Sequence, residues 1–258
     1  MSEPVNKPSP REEREDLVIG RGPVQELLRS ARPVESILFQ KNLGGSAAKI
    51  AWTAKERGIP CKEVDSRKLD SLCGHGNHQG VIAITATAQY STVEDIFEKA
   101  EKAGEPVLLV IADEIEDPHN LGAIIRTAEA AGAHGIIIPK RRSAGLTFSV
   151  SKTSAGASLH LPVARVSNLA ETINELKKRG VWVYAADMGG SLWDKVDYSG
   201  PAALVIGSEG SGVGRLVKER CDAVVSLPMR GKMTSLNASV AAGIILYEIA
   251  RQRMAKGG

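Results

Sequence analysis

The sequence predicts an α/β protein made of two units in series, and three observations predict it. Apolar runs of four to six residues, among them Val107–Ala112 and Ala203–Ile206, alternate with amphipathic stretches of helical length. Several of these runs are too continuously apolar for an exposed face, as parallel strands covered on both sides are. An acidic segment at 90–106, net −3, separates two basic stretches, 17–89 and 107–258, each net +4.

The elements follow in order. Residues 1–16 hold three prolines and a net charge of −2, and they lack Leu, Ile and Phe; they read as a flexible tail. Leu17–Ile19 is a short strand, and Pro23 opens a helix after Gly20-Arg21-Gly22. Val34–Phe39 is a strand, and Ser46–Arg57 a helix ended by Gly58. Ile59–Val64 and Val81–Ala86 complete a small α/β unit at 17–89. Ser91–Lys102 is an acidic amphipathic helix inside a linker, 90–106, closed by Ala103-Gly104-Glu105-Pro106. The second unit, 107–258, has strands at Val107–Ala112, Gly135–Ile138, Val181–Ala186, Ala203–Ile206 and Ala223–Leu227. Helices fall at 120–132, 168–179 and 213–220, and a long one at 235–253 closes the chain.

Composition excludes several classes. The chain has 258 residues, 43% of them hydrophobic and 24% charged, enough for a full core without staples. Its three cysteines (Cys61, Cys73, Cys221) form no CxxC pair, against a disulfide scaffold or a zinc ribbon. No apolar run reaches membrane-spanning length and no signal-peptide core is present, so the chain reads as soluble and cytoplasmic. The overall charge of +3 fits a polyanionic partner and a mixed solvated surface equally well. Aromatic residues make up 4%, against extensive base stacking.

Three polar constellations interrupt the apolar pattern. In Asp117-Pro118-His119-Asn120, Pro118 forces an extended or turn conformation and Asn120 is a natural helix N-cap. Leu121, Ile124, Ile125 and Ala128 then form an apolar stripe, with Arg126 at a different angle. A capped helix with a solvated Arg explains this, and so does a strand-to-helix crevice with an amide and a guanidinium at its mouth. In the second, Ile206 runs into Gly207-Ser208-Glu209-Gly210-Ser211-Gly212-Val213-Gly214. These glycines fit neither GxGxxG nor a P-loop, yet they let backbone approach a ligand closely. Glu209 is explained by turn chemistry only as an acid favouring the next helix dipole. The third runs from Leu227-Pro228-Met229 to Thr234-Ser235-Leu236-Asn237-Ala238-Ser239. Ser235 or Thr234 can cap the last helix, whose first turns are slim, whereas Asn237 has no local structural reason to be there.

Two further segments stay open. Cys73, His75 and His78 lie in a Gly-rich polar loop that matches no standard zinc spacing, so no metal is assigned. Lys140-Arg141-Arg142 suits phosphate contact or a solvated face.

The three constellations, in this order and spacing, resemble the SpoU (TrmH) family of SPOUT RNA ribose 2′-O-methyltransferases over 107–258. The segments Ile19–Val24 and Asn77–Val81 resemble the ribosomal-protein-type substrate-binding domain of the subgroup that methylates a guanosine of 23S ribosomal RNA. The resemblance implies a C-terminal α/β domain with a deep trefoil knot, a fold that ordinary topology rules disfavour. It implies S-adenosylmethionine at the knot, held around Ile206, Gly207, Leu227, Met229, Leu236 and Met188-Gly189. It implies a catalytic set of Arg126, Asn120, Glu209, Ser235 and Asn237, and a homodimer through the C-terminal domain. Arg21, Arg29, Arg32 and Lys41 are candidate phosphate contacts in the first unit. A tRNA methylase or a resistance-type rRNA methylase would share the catalytic motifs, and a non-catalytic RNA-binding protein would lack them.

Overall fold

The computed structural model describes residues 17–29, 33–41, 45–73, 77–86 and 89–257. The tail 1–16, Arg32 and His75 lie outside the described residues. Two compact units divide between Gln89 and Tyr90, with Gly145–Phe148 grouped with the first.

The first unit is a four-stranded sheet in the order β1-β4-β2-β3. Its elements are β1 (Leu17–Ile19), α1 (Arg21–Arg29), β2 (Val34–Gln40), α2 (Ser46–Glu56), β3 (Cys61–Val64), α3 (Ser66–Cys73) and β4 (Val81–Thr85). β4 runs antiparallel to both neighbours, and β2 and β3 are parallel. Alternation along β2 and β4 sorts the side chains onto two faces. Ile37, Phe39, Val81 and Ala83 pack with Val24 of α1 and Ile50 of α2. Leu38 and Ile82 point the other way and pack with Leu69 and Cys73 of α3. Helix α3 was not expected from the sequence, because its five polar residues among eight hide a short stripe of Leu69, Leu72 and Cys73. Helix α1 begins at Arg21, so Pro23 sits within its first turn instead of opening it.

The second unit begins with α4 (Val93–Ala103). Thr92 and Asp95 form a reciprocal capping box: Asp95 N–H donates to Thr92 Oγ1 at 3.2 Å and Thr92 N–H to Asp95 Oδ2 at 2.7 Å. Gly104 ends the helix at φ 68°. The helix expected at Ser91–Lys102 is thus present as Val93–Ala103, and its Ile96 and Ala100 are buried in the core of this unit.

Then follow β5 (Leu108–Ala112), α5 (Pro118–Ala130), β6 (Gly135–Pro139), α6 (Phe148–Thr153), β7 (Val163–Val166), α7 (Leu169–Lys178), β8 (Trp182–Leu192), β9 (Ala202–Ile206), α8 (Arg215–Arg220), β10 (Ala223–Ser226) and α9 (Ala238–Gly257). The sheet is six-stranded, in the order β10-β8-β9-β5-β6-β7, and every pairing is parallel. β5 and β9 are buried at every position, as their unbroken apolar runs require. Each large side chain taken from water there, such as Ile111 or Leu204, contributes about 1.5–3 kcal/mol. β7 escaped the sequence reading because it is a four-residue edge strand, half-exposed and carrying Arg165. α6 escaped it too, being only six residues long.

Two features prepare a site. β5 leads towards β6 and β7 on one side, while β9 borders it on the other, so the C-terminal ends of β5 and β9 form a topological switch point. β8 is interrupted: β10 pairs Val224 with Ala185 and then Val225 with Ser191. The intervening residues, Ala186 to Gly190, have no ladder partner on β10, and Ser191 and Leu192 rejoin it.

Candidate active site

Beyond the switch point, the chain after β9 folds straight back on itself. Ser208 and Gly212 exchange both backbone hydrogen bonds, at 3.1 and 3.0 Å, and the Ser208 and Ser211 hydroxyls are 2.5 Å apart. The turn is sharp enough that a Cβ on Gly207 would lie 2.1 Å from the Gly212 backbone. Glycine is therefore obligatory at 207. Asp113, buried at the end of β5, accepts the Gly214 N–H at 2.8 Å and anchors the far end of this loop. Burial raises the Asp113 pKa; that hydrogen bond and the nearby Arg142 oppose the rise.

Glu209 sits at the tip of the hairpin, six residues before α8, too far to serve that helix as a dipole partner. Instead it meets the two other constellations. Asn120 Nδ2 donates to Glu209 Oε1 at 3.1 Å, and Asn237 Nδ2 donates to Asn120 Oδ1 at 2.9 Å and to Glu209 Oε1. Three segments far apart in sequence thus share one polar network.

Two cap assignments differ from the sequence reading. Asp117 caps α5, accepting the His119 N–H at 3.0 Å, with Pro118 in the first helical turn. That frees Asn120, which is buried, to face the network. At α9 neither Thr234 nor Ser235 is the cap. Asn237 Oδ1 accepts the backbone N–H groups of Ser239 at 2.9 Å and Val240 at 3.3 Å, and the Ser239 hydroxyl at 2.6 Å. Asn237 therefore has a local role after all: its oxygen starts the helix while its nitrogen holds Asn120 and Glu209. A flipped amide would face helix N–H groups with its own N–H, so the orientation is determined.

Beside the network opens a cavity of about 570 Å³, within the range of small-molecule sites. Ile206, Gly207, Glu209, Leu227, Met229, Met188, Ser235, Leu236 and Asn237 all line it, nine of the twelve site residues expected from the sequence. Asn120 contributes only through the network, Gly189 is next to lining residue Met188, and Arg126 is outside the lining. Arg126 lies on α5, six residues beyond Asn120, exposed and without a hydrogen bond or ion pair among the described residues.

Residues not anticipated complete the wall. The β8 excursion brings in Asp187, and Met233, Thr234, Ala241 and Ile245 join from the last segment and α9. Gly190 makes the excursion possible: a Cβ there would lie 2.1 Å from the Val224 carbonyl oxygen. The signal in the sequence was the Gly189-Gly190 pair inside a strand pattern, which marks bulges.

Other candidates are engaged locally. His78 Nδ1 accepts the Gly80 N–H at 2.9 Å, so its Nε2 carries the proton and donates to Asp70 at 3.1 Å. Arg21 binds Gln79, Arg29 pairs with Glu26 and Lys41 with Asp65. Arg142 pairs with Glu114 at 2.9 Å.

A parallel sheet whose switch point opens on a glycine-hinged cavity flanked by an amide–carboxylate network defines an α/β ligand-binding domain, and known proteins place it further. Residues 107–247 match the SpoU rRNA methylase family, and residues 17–91 match the RNA 2′-O ribose methyltransferase substrate-binding family. YacO of Bacillus subtilis, assigned to the TrmH family of tRNA/rRNA methyltransferases, is 49% identical over 243 residues, 93% of this chain and 97% of that one. Among solved structures, the SpoU methyltransferase AviRb of Streptomyces viridochromogenes, in complex with the cofactor AdoMet, superposes with a TM-score of 0.60 at 28% identity, covering 93% of this chain and 90% of that one. An AdoMet-bound rRNA methyltransferase of Sinorhizobium meliloti gives 0.57 at 28% identity, covering 93% and 88%. The chain belongs to the SpoU (TrmH) family of RNA methyltransferases.

Proposed function

We propose that the protein methylates a ribose 2′-OH in RNA, on a guanosine of 23S ribosomal RNA, with S-adenosylmethionine as methyl donor. The observation that carries this reading is the meeting of Asn120, Glu209 and Asn237 at the rim of the cavity. The match of 17–91 to a ribose-methyltransferase substrate-binding family supports the 2′-OH as acceptor. The cavity suits the cofactor: its volume is adequate, its walls are mostly apolar, and Gly207 lets backbone come close. Ile206, Gly207, Leu227, Met229, Leu236 and Met188-Gly189 would hold it.

When bound, S-adenosylmethionine supplies a methyl group on a sulfonium, the electrophile of the reaction. The protein's task is to aim a ribose hydroxyl and manage its proton. Arg126 offers a planar guanidinium with five N–H donors, so it serves as a clamp on the adjacent phosphate and a partner for developing alkoxide charge. Asn120, Glu209, Ser235 and Asn237 orient the ribose and Arg126. The proton leaves to a phosphate oxygen or to water.

Three further readings belong to the same proposal. The first unit selects the RNA, through shape and single-stranded features. The last segment passes through a trefoil knot, which the slim, buried Ala238 and Ala242 and the close approach of Gly243 to Thr127 favour. The protein is a cytoplasmic homodimer; Val240, Ile244, Tyr247 and Met254 form an exposed apolar stripe along α9 that a second copy would cover. Among the described residues no helix is long and apolar enough to cross a membrane.

The test is transfer of tritium from labelled S-adenosylmethionine to 23S fragments and to tRNA, with mapping of the modified nucleotide. Label on a 23S guanosine ribose supports the proposal. Label on tRNA alone, or on a base, overturns its substrate.

A further inference from the structure

The cavity is bordered by two loops that do not follow one another in the chain. One is the β8 excursion, Ala186 to Gly190; the other is the hairpin after β9, which leads into α8. One side chain touches both. Asp187 lines the cavity and is largely buried. Its Oδ1 accepts the Met188 N–H at 2.7 Å, which shapes the excursion. Its Oδ2 accepts from Lys218 Nζ of α8 at 2.8 Å. A Cβ on Gly212, in the hairpin, would sit 3.5 Å from either carboxylate oxygen, so the aspartate also rests against that loop.

Charge sharpens the point. Among the described residues lining the cavity, Asp187 and Glu209 are the only ionisable groups, and both are acidic. Glu209 is held by neutral amides, whereas Asp187 is neutralised from outside the cavity by Lys218. The excursion has no ladder partner of its own between Ala186 and Ser191, since β10 and β9 both release it there. With this pair broken, the excursion loses its ionic link to α8, which stays packed on the core through Val217, and a ligand would have to order the excursion on binding.

We propose that Asp187 and Lys218 form a clasp between the β8 excursion and α8, behind the cavity wall, that sets cofactor affinity, with Asp187 and Lys218 as positioning residues. This rests on the reading of the cavity as the S-adenosylmethionine site. The clasp acts on binding and leaves the chemical step to the Asn120–Glu209–Asn237 network.

The experiment is calorimetric titration of the full chain with S-adenosylhomocysteine, at low and high salt, alongside the cofactor dependence of methyl transfer. Asp187→Asn and Lys218→Met each weaken binding about fivefold, the effect of one well-formed, partly exposed pair. The double variant weakens it by the same factor, because both changes remove one interaction. Lys218→Arg restores wild-type affinity. KM for the cofactor rises while kcat at saturation stays, and wild-type affinity falls with salt more steeply than that of Lys218→Met. Unchanged affinity in the single variants, a double variant near twenty-fivefold, or a fall in kcat with KM unchanged overturns the clasp. A wild-type chain that binds no S-adenosylhomocysteine overturns the site assignment itself, and the clasp with it.

Discussion

Asn237→Asp separates the two tasks that one amide performs. Aspartate is as good an N-cap as asparagine, so the bonds from Ser239 and Val240 to Oδ1 survive, and α9 keeps about 1 kcal/mol of capping. The other end of the side chain changes from a two-proton donor to a carboxylate oxygen. The bond to Asn120 Oδ1 at 2.9 Å disappears, as does the bond to Glu209 Oε1. A neutral hydrogen bond is worth about 1 kcal/mol and one to a charged group about 1.5–3, so the network loses roughly 2.5–4 kcal/mol of orienting energy. Two carboxylates now face each other as well, which adds repulsion. Methyl transfer is expected to fall roughly a hundredfold or more at pH 7.5, while the denaturation midpoint stays nearer to wild type than that of Asn237→Ala, which loses the cap too. Adding Glu209→Gln to Asn237→Asp reverses the polarity of the lost bond, since the glutamine amide can donate to Asp, and it recovers part of the rate. The assays are label transfer under single-turnover conditions and urea denaturation followed by circular dichroism. An Asn237→Asp variant with near wild-type rate would overturn the orienting role of the amide nitrogen, and one as unstable as Asn237→Ala would overturn the capping role of the oxygen.

Other expectations are as specific. Arg126→Ala abolishes methyl transfer while cofactor binding, read by calorimetry, stays nearly intact; loss of binding would remove Arg126 from the chemistry. Gly207→Ala drives a methyl group against the Gly212 backbone and costs about 1–3 kcal/mol of stability, with loss of cofactor binding, whereas Gly200→Ala, where a Cβ meets nothing, is close to neutral in both measurements. His134 is buried, accepts the Leu108 N–H on Nδ1 at 3.0 Å, and has a pKa lowered chiefly by burial. Its neutral form is the folded one, so its contribution to stability is complete above the unfolded pKa of about 6.5 and declines as pH falls below it. Urea titrations at pH 7.5 and 5.0 should show that decline; His134→Phe should be less stable at pH 7.5, with the Leu108 N–H left unpaired, and show a shallower loss between the two pH values.

The fold was legible wherever burial dictates composition. β5 and β9 could only be covered parallel strands, and the stripe of Leu121, Ile124, Ile125 and Ala128 could only be a helix face. Elements fixed by other forces were harder to see. β7 is an edge strand whose outer residues answer to solvent, and α3 packs through three side chains only. At the site, residue identities were legible and their partners were not. Asn237 looked unexplained because its nitrogen bonds to residues 117 and 28 positions away. The two caps differ from expectation for different reasons: Asn120 is held by the long-range network while Asp117 caps α5, and Ser235 lies three residues before α9, whose cap is the nearer Asn237. Asp187 carried no local signal, since its partner Lys218 lies 31 positions on and is joined to it only by the sheet.

The break in β8 has a consequence for how this site can vary. β10 grips the strand at Tyr184 and Ala185 before the excursion and at Ser191 and Leu192 after it. The sheet's register is thus pinned on either side of the residues that wall the cavity. A substitution, or even a change of length, between Asp187 and Gly189 can reshape the pocket without sliding a single ladder bond. In most strands an inserted residue turns every later side chain to the opposite face. Here the frame is insulated from its own lining, so the cavity can be recut locally while the core of the domain stays as it is.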